Sequence, residues 1–162
     1  MEQYRPPQAI PDHAPRPWIF LAGAIDQGRA EPWQNAVVPA LIDQPGTLCN
    51  PRRVDWDASW RQTLDDPRFA GQVKWELDAL EDADLILCWL PAGSQAPVSL
   101  LELGLHARGG RLIVGCDDGF HRQGNVAAVC ARFGIPLVGS LSELIEGARQ
   151  QVEKTVALAG AR

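Results

Sequence analysis

Short unbroken apolar runs alternate along the chain with longer stretches in which apolar positions recur every three or four residues. Trp18-Ile19-Phe20-Leu21-Ala22-Gly23 is continuous in its hydrophobicity and ends in glycine, the pattern of a parallel strand covered on both faces. Gly46–Asn50, Asp84–Leu90, Arg111–Gly115 and Ile135–Val138 read in the same way. Between them the period changes to that of helices. Glu31 to Ile42 carries Trp33, Val37, Val38 and Leu41; Pro32 suits its first turn, whereas Pro39 should kink or shorten it. Pro67 to Ala83 is the clearest helix, with Val73, Leu77 and Leu80 as its core stripe and Lys74, Asp78, Glu81 and Asp82 facing water. Val98–Arg108, Gln123–Phe133 and Ser140 to about Ala159 complete the set, the last with Ser140 and Glu143 placed to cap its start.

Five strands with helices between them predict an α/β fold, a doubly wound five-stranded parallel sheet in a three-layer sandwich. No repeat or boundary divides residues 17–162, which are expected to form one domain. Residues 1–16 hold Pro6, Pro7, Pro11 and Pro15, with Pro17 next to them, and read as an extended arm or a disordered tail.

Composition narrows the function. The chain has 162 residues and a net charge of −5, which argues against a nucleic-acid polymer or an anionic membrane as its partner. No apolar run approaches the ~18 residues that a membrane span needs. The polar N-terminus reads as neither a signal nor a transit peptide. Cys49, Cys88, Cys116 and Cys130 show no CxxC spacing and read as small buried hydrophobes in a reducing, cytoplasmic setting. With three histidines and no zinc spacing, no metal site is expected.

Open α/β sheets bind ligands beyond the carboxyl ends of their strands. Those ends gather Gly23-Ala24-Ile25-Asp26, Asn50-Pro51-Arg52-Arg53, Pro91 to Ser99 and Asp117 to Asn125. Glu102 shares that rim, a carboxylate among Leu100, Leu101, Leu103 and Leu105, where an ionised group is costly unless paired or working. It is either a catalytic acid or the far end of a capping box that starts at Ser99. Gln72 and Glu76 lie four apart on one helix face, so Glu76 either joins Glu102 at a pocket or is a solvated, ion-paired residue. Paired carboxylates in different environments suit glycosyl transfer. His106, one turn past Glu102, either pairs with it or lies at the surface. Gly23-Ala24-Ile25 is not a dinucleotide fingerprint, and no GxxxxGK[ST] occurs; Gly23 is a turn glycine or a place for a ligand to approach the backbone. In the long connection 51–66, Trp56 or Trp60 can stack on a base and Asp55 or Asp57 can bind its edge, or the two tryptophans pack a short helix. Arg52 and Arg53 either bind phosphate or pair with the nearby aspartates.

Taken in order, Ile19-Phe-Leu-Ala-Gly-Ala-Ile25, Asn50-Pro-Arg-Arg53, Gln72-Val-Lys-Trp-Glu76 with Leu77 to Asp84, and Leu100-Leu-Glu-Leu-Gly104 resemble the nucleoside 2-deoxyribosyltransferase-like family. The resemblance implies a flavodoxin-like fold and cleavage of the N-glycosidic bond of 2′-deoxynucleosides. It makes Glu102 the nucleophile at C1′ and Glu76, helped by Asp84 or a loop aspartate, the residue that orients or protonates the leaving base. It implies substrate binding by Gly23, Ala24, Ile25, Asn50, Arg52, Asp57, Trp60, Gln72, Trp75 and Ser99, with no metal or organic cofactor. The implied partners are a deoxynucleoside and a free nucleobase, in a homo-oligomer of two or more subunits. Two departures stand out: Ala96 where relatives carry aspartate or serine, and Asp26 where nucleotide-specific relatives carry arginine. Together they favour an unphosphorylated nucleoside. Ala96 and the glutamate at 76 also keep open a non-catalytic module that senses a nucleoside or nucleotide derivative. A receiver-like domain fits less well, because the Asp84–Leu90 strand ends in Leu90-Pro91 rather than in an aspartate.

Overall fold

Six parallel strands form one sheet in the order β1-β3-β2-β4-β5-β6: β1 (Glu2–Tyr4), β2 (Trp18–Gly23), β3 (Thr47–Cys49), β4 (Leu85–Leu90), β5 (Leu112–Cys116) and β6 (Leu137–Val138). The computed structural model describes residues 1–57 and 59–160, so Ala58 of the long connection and the last two residues of the expected 17–162 domain lie outside the described residues. Every residue of the central strands β2 and β4 is buried, which is why their sequences are continuously apolar rather than alternating. Successive side chains enter opposite layers. Phe20 and Ala22 pack with Leu80 of α2 (Pro67–Asp82), Leu103 of α3 (Pro97–His106) and Val126 of α4 (Gln123–Phe133). Ile19 and Leu21 pack with Val37 and Leu41 of α1 (Gln34–Leu41) and with Leu144 and Ala148 of α5 (Leu141–Gly160). This is the flavodoxin-like, doubly wound three-layer arrangement. Among the described residues, no helix is long and apolar enough to cross a membrane.

The expected count of five strands is corrected to six, and the extra strand comes from the segment read as an arm. Glu2–Tyr4 adds an edge strand beside β3, and Asn50 N–H donates to Tyr4 C=O at 3.0 Å. Ala14 is buried in the core, and the terminal amine of Met1 donates to Gln44 C=O at 2.7 Å. The proline-rich run that begins at Pro6 hid the strand, since only the three residues Glu2–Tyr4 ahead of it pair.

One helix differs from expectation. On α2 the buried positions are Gln72, Ala79 and Leu80, while Leu77 is 46% exposed. The helix is thus turned so that Val73 faces a cleft instead of the core. Its start is fixed by Asp66, whose carboxylate accepts the Arg68 N–H at 3.1 Å, with Pro67 in the first turn. α1 spans only eight residues around Pro39. At α5 the cap forms as expected: Ser140 Oγ accepts the Glu143 N–H at 3.2 Å, and the Glu143 carboxylate accepts the Gly139 N–H at 3.1 Å.

Candidate active site

The chain leaves β2 toward β3 on one side and leaves β4 toward β5 on the other. The crevice between the β2 and β4 tips is therefore the switch point of the sheet, where such folds hold ligands. A cleft of about 750 Å³ opens there, lined by the β2 tip, the loops that follow β2 and β3, one face of α2 and the first turns of α3. Gly23 sits at its floor with φ 133°. A Cβ there would lie 2.4 Å from the Trp89 carbonyl oxygen, so the glycine serves the close approach of β2 to β4.

α2 and α3 each bring a carboxyl group to this cleft. Phe69, Gln72, Val73 and Glu76 line it at the spacing of one helix face. Gln72 Nε2 donates to Pro51 C=O at 3.0 Å and to Glu76 Oε1 at 2.8 Å, which fixes the glutamate rotamer against the β3 loop. α3 begins at Pro97 after Ala96, whose φ of 46° is left-handed, and no side chain caps it. Ser99 is buried in the first turn without capping anything, so the capping box is not formed and Glu102 is free of it. Glu102 lines the cleft, and among the described residues neither a hydrogen-bond donor nor a cation pairs with its carboxyl group.

Burial dominates the electrostatics of the pair. It pushes Glu102 up to about 8, with the negative charge of Glu76 adding to the shift. Glu76 is pushed up to about 7 by burial, against the opposing hydrogen bond from Gln72. Two carboxylic acids that each resist ionisation, the charge of one raising the other, form a coupled pair that gives up its protons in two steps near neutrality. Such a pair can hold one proton and one negative charge at once, as acid–nucleophile chemistry requires.

Of the residues singled out in the sequence, Gly23, Ile25, Arg52, Gln72, Glu76, Ser99 and Glu102 come together around the cleft. Ala24, Asn50, Asp57, Trp60 and Trp75, also expected there, do not line it. Ala24 is buried and takes part in the β2–β4 contact, its N–H donating to Trp89 C=O at 3.0 Å. Asn50 is buried and accepts the Arg52 N–H through Oδ1 at 3.0 Å, shaping the loop. Asp57 is exposed and accepts the Ser59 N–H at 2.8 Å. Trp75 packs on Phe20 and donates through Nε1 to Gln8 C=O at 2.8 Å. Trp60 is buried beneath the guanidinium groups of Arg53 and Arg68, at 4.8 and 5.4 Å from its ring centre. Trp56 lines the cleft instead, its ring 5.1 Å from that of Trp60. Asp84 lies at the opposite end of the sheet, where its carboxylate accepts the Trp18 N–H at 2.8 Å and pairs with Arg16. His106 faces Arg111 rather than Glu102. The four cysteines are free and buried, and burial pushes Cys49 up to about 12.

Sequence reasoning passed over Phe69, Val73 and Gln95 as lining residues. The 69-72-73-76 spacing was the available signal for the first two.

A family model described as nucleoside 2-deoxyribosyltransferase like matches residues 16–120, a span that contains both cleft carboxyl groups. No curated protein matches the chain.

Proposed function

The chain belongs to the nucleoside 2-deoxyribosyltransferase-like family, and on that premise we propose that it cleaves the N-glycosidic bond of 2′-deoxynucleosides. In this reading the pair's remaining proton, which rests mainly on Glu102 in the empty cleft, moves to Glu76 when the substrate binds; Glu102, now ionised, attacks C1′ as the bond to the base breaks, and a deoxyribosyl ester forms on its carboxylate. Glu76, in its protonated form, gives its proton to the departing base. A second nucleobase or water then attacks C1′ of the ester, surrenders a proton to Glu76, and releases Glu102. The single observation that supports this is the meeting of two half-buried carboxyl groups, from α2 and α3, on one cleft, both held above the ordinary carboxylate range. Chromatography of the protein incubated with a panel of deoxynucleosides and two acceptor bases tests it. Cleavage by the natural chain and none by Glu102→Ala is the expected result; equal turnover by the variant removes the nucleophile assignment.

We extend the reading to a single domain over 17–162 acting on a deoxynucleoside and a free base in the cytoplasm, as a homo-oligomer. Leu101 and Leu105 of α3 are exposed and apolar and lie off the cleft, which suits contact between copies. A second reading, a module that binds a nucleoside or nucleotide derivative without cleaving it, draws on the proton that burial holds on Glu102 up to about 8. Binding without any base release in the panel selects it.

A further inference from the structure

Three residues that line the cleft carry polar atoms with no partner among the described residues. Arg52 Nη1, Trp56 Nε1 and Gln72 Oε1 are each enclosed and unbonded. Leaving a buried donor or acceptor unpaired is costly, so these atoms point to a ligand that meets them. Gln72 is the most deeply set of the three residues, only 4% exposed.

Its amide cannot turn over. Nε2 donates to Pro51 C=O at 3.0 Å and to Glu76 Oε1 at 2.8 Å, and a carbonyl oxygen can only accept. Oε1 is therefore the atom left for a ligand, and what it offers is an acceptor. Glu76 lies one turn further along the same face and meets Gln72 through its own Oε1. Its second oxygen, Oε2, is left to carry the proton, which burial retains up to about 7. Gln72 and Glu76 thus present an acceptor beside a donor, locked together by the bond between them.

A ligand edge that completes this array carries a donor beside an acceptor. The edge of a 6-aminopurine formed by N6 and N7 does so: N6–H donates to Gln72 Oε1 while N7 receives the Glu76 proton. In a 6-oxopurine the same edge carries two acceptors, and O6 meets Gln72 Oε1 lone pair to lone pair. Rotation gives no relief, because turning the amide would set Oε1 against the Pro51 carbonyl. Oε1 is covered in the empty protein, and uncovering it is equally unfavourable for every base. The bond to Oε1 offsets this only for a base that brings a donor.

We propose that Gln72 is a specificity-determining residue: its fixed amide oxygen selects purine deoxynucleosides with an amino group at C6 and rejects their 6-oxo counterparts. This rests on the reading of the cleft as a deoxynucleoside site and adds to it which base is released. Glu76 Oε2–H protonates N7, the C1′–N9 electron pair stays with the base, and the 6-aminopurine departs neutral.

The test is calorimetric binding at pH 6 of deoxyadenosine, of the 6-unsubstituted purine deoxynucleoside and of deoxyinosine. The protein is the full chain carrying Glu102→Gln, which prevents turnover, and at this pH Glu76 keeps its proton. Deoxyadenosine should bind about a hundredfold more tightly than deoxyinosine, with the unsubstituted purine between them. Gln72→Met, added to the same chain, removes the acceptor and should bring the three within about threefold of one another. Deoxyinosine that binds as tightly as deoxyadenosine overturns the proposal, as does an unchanged ratio in the Gln72→Met protein. If Gln72→Met does not fold, the series on the Glu102→Gln chain decides, and any order other than amino, unsubstituted, oxo rejects the proposal. If no nucleoside binds, the deoxynucleoside reading falls, and the free bases adenine and hypoxanthine judge Gln72 alone. Adenine that binds about tenfold more tightly or better then upholds the assignment; equal binding of the two bases, or of neither, rejects it.

Discussion

Replacing Glu102 by glutamine should stabilise the protein at alkaline pH and leave its stability at acid pH almost unchanged. The reason is the proton that burial and the charge of Glu76 hold on Glu102, which moves its titration from 4.5 to about 8. Between those values the native state keeps a proton that the unfolded chain has released. By linkage, stability is therefore fully present below 4.5 and is lost as pH rises through 8. At 1.36 kcal/mol per pH unit that interval amounts to a ceiling of roughly 5 kcal/mol. Glu102 lines an open cleft that admits water, so a residual of about 2–3 kcal/mol is the expected size, in keeping with the high effective dielectric of such sites. Glutamine keeps the length and shape of the side chain and never ionises. Urea denaturation of both proteins at pH 5 and pH 9 reads the effect. The curves should coincide within about 0.5 kcal/mol at pH 5, and the variant should be the more stable by about 2–3 kcal/mol at pH 9. In thermal melts at pH 9 the same difference is roughly 4–12 °C for a chain of this size. A stability gap that does not change with pH would refute the claim that burial holds a proton on Glu102 in the native state. Loss of nucleoside cleavage in this more stable variant would separate chemistry from folding.

Glu76→Gln removes the negative charge that adds to the rise of Glu102, so the Glu102 carboxyl, followed by carbon-13 NMR, should titrate at lower pH than in the natural chain; a titration that stays in place would show the two groups to be uncoupled. Trp60→Ala should cost about 3 kcal/mol in urea denaturation, because it empties a buried site beneath Arg53 and Arg68. For cleavage measured well below the melting point, its KM should change less than that of Trp56→Ala, since Trp56 and not Trp60 lines the cleft; the opposite order would return the base contact to Trp60.

Sequence alone determined the layers. Trp18–Gly23 and Asp84–Leu90 are too continuously apolar to face water on either side, so they had to be central parallel strands with helices on both faces, and the site had to lie at their carboxyl tips. Glu102 was half legible: a charge among leucines at a strand tip read either as a site acid or as the far end of a capping box from Ser99. Tertiary structure decided what local patterns leave open. Whether Ser99 and Glu102 form a capping box depends on where α3 starts, and that is set by the Asp26 carboxylate tying down Gln95 and Ala96 from about 70 residues away in sequence. Which tryptophan meets the cleft depends on the cover that Arg53 and Arg68 give Trp60. The rotation of α2 that exposes Leu77 and turns Val73 and Glu76 to the cleft comes from its packing on the sheet, not from its own apolar stripe. Even the edge strand at Glu2–Tyr4 required the neighbour β3, because three residues have no strand signal until their backbone groups find a partner. Periodicity reports the face each segment must bury; the distance and charge of what that face meets belong to the folded chain.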